Sequence, residues 1–228
     1  MSSVSSSGTN ADRRETVPLS RARGAFAPPT GVRFGGPPRG AAVSSFGAVA
    51  AAAVAFAAPL SFQLRDTEGA VHTQAEFAGH KAVVLYFTTT DCPIANGYVP
   101  EMNRIHDAYS ARGVLFYAVQ TDLTIPAADV VKYARDFHYA YPLLLDPNQL
   151  LVRFTGASIT PQVAILAPDG KLIYLGRVDD RVADFGKQRL TPTVVDLRDS
   201  LDAVLAGKPV PHATTKSIGC AITLKSTP

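Results

Sequence analysis

Residues 82–88, Ala-Val-Val-Leu-Tyr-Phe-Thr, form an unbroken apolar run of strand length. Its lack of polar alternation predicts a strand buried on both faces. Past a turn at 88–91 the spacing changes. Ile94, Tyr98, Met102, Ile105 and Tyr109 recur at steps of four, four, three and four, one stripe of an α-helix. Pro93 suits the first helical position, where a missing N–H costs nothing, and Pro100 falls inside the stripe. After Gly113, residues 114–120 read as a second buried strand. Residues 127–137 are helical, with Val130, Val131, Ala134 and Phe137 sharing a face. A short strand at 143–145 and a short helix at 148–154 follow. Residues 162–166 and 172–175, joined by Pro168-Asp169-Gly170, read as a β-hairpin. Thr193 caps a last helix carrying Val194, Leu197, Leu201, Val204 and Leu205, closed by Gly207. At the front, 60–64 makes a short strand before a turn at 66–69. Strands alternating with helices and ending in a hairpin predict an α/β sandwich around a mixed central sheet.

Composition changes this picture only at the N-terminus. The chain has 228 residues, 46% of them hydrophobic, which is room for one domain plus an extension. The net charge of +3 is unevenly placed: residues 1–58 hold six Arg against Asp12 and Glu15. The rest is close to neutral, which argues against a nucleic-acid partner. Residues 1–40 are rich in Ser, Gly, Pro and Arg without hydrophobic period, the composition of a disordered segment. Residues 41–57 are then apolar and uncharged, preceded by Arg39 and ending in Ala55-Phe56-Ala57. That order reads as a signal-peptide core with a small-residue cleavage site. Export to a periplasmic or other extracytoplasmic compartment is expected. An organelle lumen, reached through a two-part signal, is the alternative. Membrane contact is expected only if the apolar run stays uncleaved as an anchor. The expected organisation is an extension over 1–58, a folded domain over 59–207 and a tail over 208–228 that carries Cys220.

Two cysteines cannot build a disulfide scaffold, but they can make one redox pair. Cys92 stands at or next to the cap of the predicted helix, where the positive end of the macrodipole favours a thiolate. Lone cysteines are more often small buried hydrophobes; here the flanking pattern argues otherwise. Cys92-Pro93-Ile94-Ala95 resembles the Cys-x-x-Cys site of the thioredoxin-like superfamily, and Pro100 has the spacing of its helix proline. Thr160-Pro161 heads a strand as the superfamily's cis-proline does. The resemblance covers roughly residues 60–207. The extra helix–strand–helix ahead of Pro161 is similar to the redoxin and alkyl hydroperoxide reductase/thiol-specific antioxidant group.

That resemblance implies a thioredoxin-like sandwich with a redoxin-type insertion, and a thiol-dependent oxidoreductase with Cys92 as nucleophile. A peroxide or a protein disulfide would be the substrate, an unidentified thiol the electron donor, and no organic cofactor or metal would be needed. The chain also departs from the family pattern. Ala95 replaces the second Cys of the motif, so no local disulfide forms. Leu85 stands where peroxiredoxins have Pro, although their Thr is kept as Thr89. The peroxiredoxin Arg has no counterpart beside Thr160-Pro161, and Tyr86 stands where thioredoxins have a buried acid.

Three site expectations follow. The Thr160-Pro161 bond is expected to be cis, with the Thr160 backbone against Cys92, where it could pair with an extended substrate strand. Residues 176–181 are expected to return beside Cys92, so that Arg177 or Arg181 replaces the missing peroxidase Arg, oriented by Asp179 and Asp180. Fourteen steps separate Ala206 from Cys220, a reach of up to about 46 Å at ~3.3 Å each. Gly219 permits close approach. Bacterial redoxins resembled through Cys-Pro-Ile-Ala-Asn and Gly-Arg-Val-Asp-Asp-Arg carry a similar Gly-Cys-x-Ile ending. Cys220 is therefore expected near Cys92 as resolving thiol, with a permanent disulfide or an idle tail as alternatives. The other class of reading is a non-catalytic binding or copper-delivery module on the same fold. Asn96 stands where such a module has its second Cys, and His212 is the nearest candidate ligand to Cys220 in sequence.

Overall fold

The computed structural model describes residues 60–226. The expected extension over 1–58 and the apolar run at 41–57 lie outside the described residues. The elements follow in the order β1 (Gln63–Asp66), β2 (Val71–Thr73), a short 3-10 turn at Gln74–Phe77, β3 (Ala82–Thr88), α1 (Pro93–Tyr109) and β4 (Val114–Gln120). The insertion comprises α2 (Ala127–Asp136), β5 (Leu143–Leu145) and α3 (Leu150–Thr155). Then come β6 (Ile159–Thr160), β7 (Gln162–Leu166), β8 (Leu172–Gly176), the small hairpin β9 (Val182–Asp184) and β10 (Lys187–Gln188), α4 (Asp196–Leu205), and β11 (Cys220–Ala221).

Seven strands form one mixed sheet in the order β2-β1-β5-β4-β3-β7-β8. β3 lies inside it, parallel to β4 and antiparallel to β7, and all its residues are buried, as its apolar run predicts. Alternate residues of β3 feed two cores. Ala82, Val84 and Tyr86 pack with Tyr98, Met102, Ile105 and Tyr109 of α1, Val130 and Tyr133 of α2, and Leu197 and Leu201 of α4. Val83, Leu85 and Phe87 pack on the other face with Leu60, Phe62, Phe77, Leu151 and Val152. The architecture is the thioredoxin-like sandwich, and the expected helix–strand–helix insertion is present.

Several boundaries differ from expectation, each for a physical reason. Residues 60–62 are not strand. Leu60 and Phe62 are buried in the second core, and the Phe62 N–H donates to Gln74 Oε1 (3.1 Å) instead of to a strand. On α2 the buried face is Val130 and Tyr133; Phe137 lies past the helix end, its ring tilted against Tyr133 at 4.6 Å between centroids and partly exposed. Thr193 does not cap α4, which begins at Asp196 with Val195 as cap. Thr193 is held instead by Asp180, whose carboxylate accepts its N–H (2.7 Å) and its hydroxyl (2.5 Å). α3 starts where Asp146 accepts the N–H groups of Leu150 and Leu151, at 2.8 Å each.

Candidate active site

β3 ends at Thr88 and α1 begins at Pro93, so the turn between them delivers Cys92 to the helix cap with extended backbone (φ −96°, ψ 102°). The Cys92 N–H donates to Thr89 O at 3.4 Å, and the Cys92 carbonyl accepts the Asn96 N–H at 2.9 Å. Two side chains fix the turn. Asn96 Nδ2 donates to Thr90 O (2.9 Å) while its Oδ1 accepts the Tyr133 hydroxyl (2.8 Å). The Tyr86 hydroxyl donates to Ala95 O (2.7 Å), so the residue standing in the superfamily's acid position secures the first helical turn instead.

The Thr160-Pro161 peptide bond is cis, as expected. Thr160 sits in β6 with its carbonyl oxygen 3.1 Å from Cys92 Sγ. The edge expected to receive a substrate strand is taken by the protein's own tail. Cys220 and Ala221, in β11, pair antiparallel with Thr160 and Ile159. This brings Cys220 Sγ to 2.7 Å from Cys92 Sγ, both as free thiols. Gly219 is required by the approach: a Cβ there would lie 2.0 Å from Thr160 O.

The tail reaches this place along a defined path. Beside β8, the Leu175 N–H donates to Ala213 O (3.0 Å) and the Thr215 N–H to Leu175 O (3.3 Å). Thr215 Oγ1 lies 2.6 Å from the Tyr174 hydroxyl and accepts the Arg177 N–H (3.1 Å). Past Cys220, the Ile222 N–H donates to Ser158 O (2.9 Å). Buried Gln149 then grips the end: its Nε2 donates to Thr223 O and its Oε1 accepts the Lys225 N–H, both at 2.8 Å. Arg153 also donates to Lys225 O. The insertion thus supplies the clamp that holds the strap across the site.

The two thiols are not equivalent. Burial opposes ionisation of Cys92, but the Cys220 thiol, the Ala95 and Cys220 amides and Thr160 outweigh it, so its pKa lies below the ordinary cysteine value. Cys220 is pushed up to about 11, by burial and then by its neighbour Cys92. Cys92 is the group that ionises; Cys220 keeps its proton and shares it.

Other expected site residues fall differently. Thr89 is buried next to Cys92, and its Oγ1 has no hydrogen-bond partner among the described residues. Arg177 does return to this end, lining a small cleft with Tyr98, Pro161 and Ile218. Its guanidinium, however, is spent on Asp196, with Nε 2.6 Å from Oδ2. Arg181 lies over the Tyr98 ring at 4.2 Å. The expectation that either arginine sustains the thiolate is therefore corrected: the donors at Cys92 are a thiol, amides and Thr160. Of the two aspartates, Asp179 does stand beside Arg181, with Oδ2 4.0 Å from its guanidinium and Oδ1 accepting its backbone N–H (2.9 Å), whereas Arg177 pairs with Asp196. Asp179 accepts the Tyr98 hydroxyl (2.5 Å), and Asp180 holds Thr193 and Val194. His212 lines a separate cleft with Tyr174, Asp196 and Ser200. Gln149 and the structural role of Asn96 were missed by sequence reasoning. An amide in a short helical segment carries no signal of the strap it will grip.

The redoxin family model matches residues 52–188. The chain belongs to the redoxin family. The thiol-disulfide oxidoreductase ResA of Geobacillus thermodenitrificans is 30% identical over 122 residues, spanning 54% of this chain and 68% of that protein. Among solved structures, a hypothetical protein of Sinorhizobium meliloti superposes with a TM-score of 0.65 at 28% identity, covering 74% of this chain and 93% of that one. An uncharacterized conserved protein of Geobacillus kaustophilus gives a TM-score of 0.64 at 27% identity over 75% of this redoxin and 92% of its own chain.

Proposed function

We propose that this redoxin is an exported thiol–disulfide oxidoreductase whose redox pair is Cys92 and Cys220, cycling between dithiol and disulfide with a protein dithiol or disulfide as partner. The observation that carries the reading is the pairing of Cys220 with Thr160, which sets Cys220 Sγ 2.7 Å from Cys92 Sγ. The long-range partner replaces the second cysteine that Ala95 leaves out of the motif. The unequal acidities suit exchange, because the sulfur of lower pKa is both the more ionised nucleophile and the better leaving group. Pro161 lies against the strap, its Cδ 3.0 Å from where a Cβ on Gly219 would sit. The matched relatives named thiol-disulfide oxidoreductases support the reaction class. Export rests on the Arg39, apolar run and Ala-Phe-Ala order at 39–57; the N-terminal sequence of the mature protein in the extracytoplasmic fraction tests it.

The reaction is tested by oxidising the protein with a protein disulfide and mapping peptides without reduction. A Cys92–Cys220 cross-link that forms, and that a dithiol reverses, is the expected result; two free thiols after exposure to the oxidant overturn it. Cys92→Ser and Cys220→Ser should each abolish turnover of a dithiol substrate.

Peroxide as oxidant is a second reading, favoured by one observation: the buried hydroxyl of Thr89, whose carbonyl accepts the Cys92 N–H, has no partner among the described residues. Peroxide consumption that falls at least tenfold in Thr89→Val, roughly the weight of a positioned polar contact in a buried site, supports it. Unchanged thiol titres after peroxide remove it.

A further inference from the structure

In the superfamily this chain resembles, the cysteine at the helix cap is the one outside partners meet. Here that cysteine is closed off. Cys92 has 0% of its surface exposed, with α1 beneath it, the Thr160 carbonyl beside it and the strap residue Cys220 over it. Cys220 is only partly buried, and its neighbour Ala221 is exposed. Displacement at a disulfide sulfur runs in line: the incoming thiolate approaches opposite the sulfur that leaves, and access decides which sulfur is attacked. For attack on Cys92 with Cys220 leaving, the nucleophile would have to occupy space already filled by the protein. Attack on Cys220 with Cys92 leaving needs only the solvent side of the strap.

We propose that Cys220, on the strap, is the sulfur through which this redoxin exchanges with its partner, and that Cys92 reacts only within the protein. The inference rests on the redox pair proposed above. In the oxidised form a thiolate of a dithiol protein attacks Cys220 Sγ. The Cys92–Cys220 bond breaks, a partner–Cys220 disulfide forms, and Cys92 leaves as thiolate. The partner's second thiolate then attacks its own sulfur in the mixed disulfide and releases Cys220, which takes up a proton. Two electrons pass from the partner dithiol to the protein disulfide. The reverse reaction retraces the same steps: Cys220 makes the mixed disulfide, and Cys92 attacks Cys220.

The thiol properties agree with exchange at Cys220. Cys92, held below the ordinary thiol range, is a good leaving group; Cys220, pushed up to about 11, is a poor nucleophile towards an outside disulfide. Attack on Cys220 with Cys92 leaving is thus the step that these acidities favour at the strap. The partner is a protein with two neighbouring thiols, of which the first must reach an accessible strand at the edge of the fold rather than a groove beside the helix cap.

A trapping experiment on the full exported chain separates the two sulfurs. The protein is oxidised, and its Cys92–Cys220 cross-link is verified by peptide mapping. It is then reacted with a thioredoxin whose resolving cysteine is serine, acid-quenched at short times, alkylated and mapped. The expected product is a mixed disulfide on the peptide containing Cys220, with Cys92 alkylated, in roughly tenfold or greater excess over the converse, since access selects the sulfur. A mixed disulfide on Cys92, with Cys220 alkylated, overturns the assignment while leaving the redox pair intact. Absence of the cross-link in the starting material overturns both, so the two failures are distinguishable.

Discussion

The two halves of the candidate site are held by different physics. The Cys92 half grows out of β3 and α1, whose side chains are core: Tyr86, Met102 and Ile105 are essentially without exposure. Moving Cys92 means disturbing both buried clusters. The Cys220 half is a strap, pinned by backbone pairing to β8 and β6 and by the Gln149 clamp. Among residues 217–225 it buries Ser217, with Ile218 partly buried against the first core and Ile222 against the second. A bonded but lightly packed segment can open without the domain unfolding. One sulfur therefore belongs to the scaffold and the other to a device that the scaffold holds down.

The largest effect expected from this contrast is on the scaffold. Leu85→Ala, in the middle of β3 at 0% exposure, should cost about 2–5 kcal/mol of global stability. The fraction of folded molecules that form the Cys92–Cys220 cross-link should stay as it is, because Leu85 points into the core opposite α1. Denaturant melts in the oxidised and reduced states, combined with non-reducing mapping, check both halves of this statement. A cross-link lost in proportion to stability would mean that scaffold and strap are one cooperative unit.

The strap half is probed by Gly219→Ala. The added methyl would meet Thr160 O at 2.0 Å and Pro161 Cδ at 3.0 Å, against backbone and ring atoms that have little room to yield. The strap should lift at Cys220 at a cost of about 1–3 kcal/mol, in the range of overpacking in close-packed structure. Cys92 should then become alkylatable in the reduced protein, and the yield of intramolecular disulfide should fall. The melting temperature should move much less than for Leu85→Ala. A large fall in melting temperature instead would place the strap inside the cooperative core.

The same division explains what could be read from the chain. β3, the turn and the stripe of α1 were legible because each is local: an apolar run, a proline at the first helical position, a 3.6-residue period. The return of Cys220 was legible too, from tail length, from Gly219 and from the resemblance to redoxins with a Gly-Cys-x-Ile ending. The partner of Arg177 was not. Arg177 was expected beside Cys92 with Asp179 and Asp180 near it in sequence, yet its guanidinium binds Asp196, which the end of the β9–β10 excursion and the start of α4 bring close. Charged side chains choose partners by tertiary geometry, and sequence neighbours gave no hint of Asp196. Thr193 shows the same limit. Its identity suits a helix cap, but Asp180 offered a carboxylate first and the helix began three residues later.

The smallest effect lies on the scaffold, far from the strap in the chain. His72 sits between two carboxylates, with Nε2 2.9 Å from Asp66 Oδ2 and Nδ1 3.0 Å from Glu76 Oε2. The Tyr117 hydroxyl donates to the same Glu76 oxygen at 2.7 Å. Burial opposes the imidazolium, but bonds to Glu76 and Asp66 more than offset it, so the His72 pKa is raised from its ordinary 6.5. A raised pKa means that the charged form stabilises the fold fully below pH 6.5, and that this stability is lost as pH rises through the raised value. Asp66 and Glu76 are lowered from 3.8 and 4.5, despite burial, chiefly by the bond from His72. Their contribution is present above those values and lost as pH falls through the lowered ones. All three act together only in the window between about pH 4.5 and 6.5. Glu76 is 40% exposed, so water screens the trio and the effect should stay at or below about 1 kcal/mol. That corresponds to a fall of roughly 2–4 °C in melting temperature above pH 6.5 for a domain of this size. His72→Gln should flatten this alkaline slope and leave the cross-linked fraction unchanged at every pH, since β1 and β2 do not touch the strap's pairing with β6. A cross-linked fraction that follows the His72 titration would show that the strap feels the far edge of the sheet, and the separation between scaffold and strap would fail.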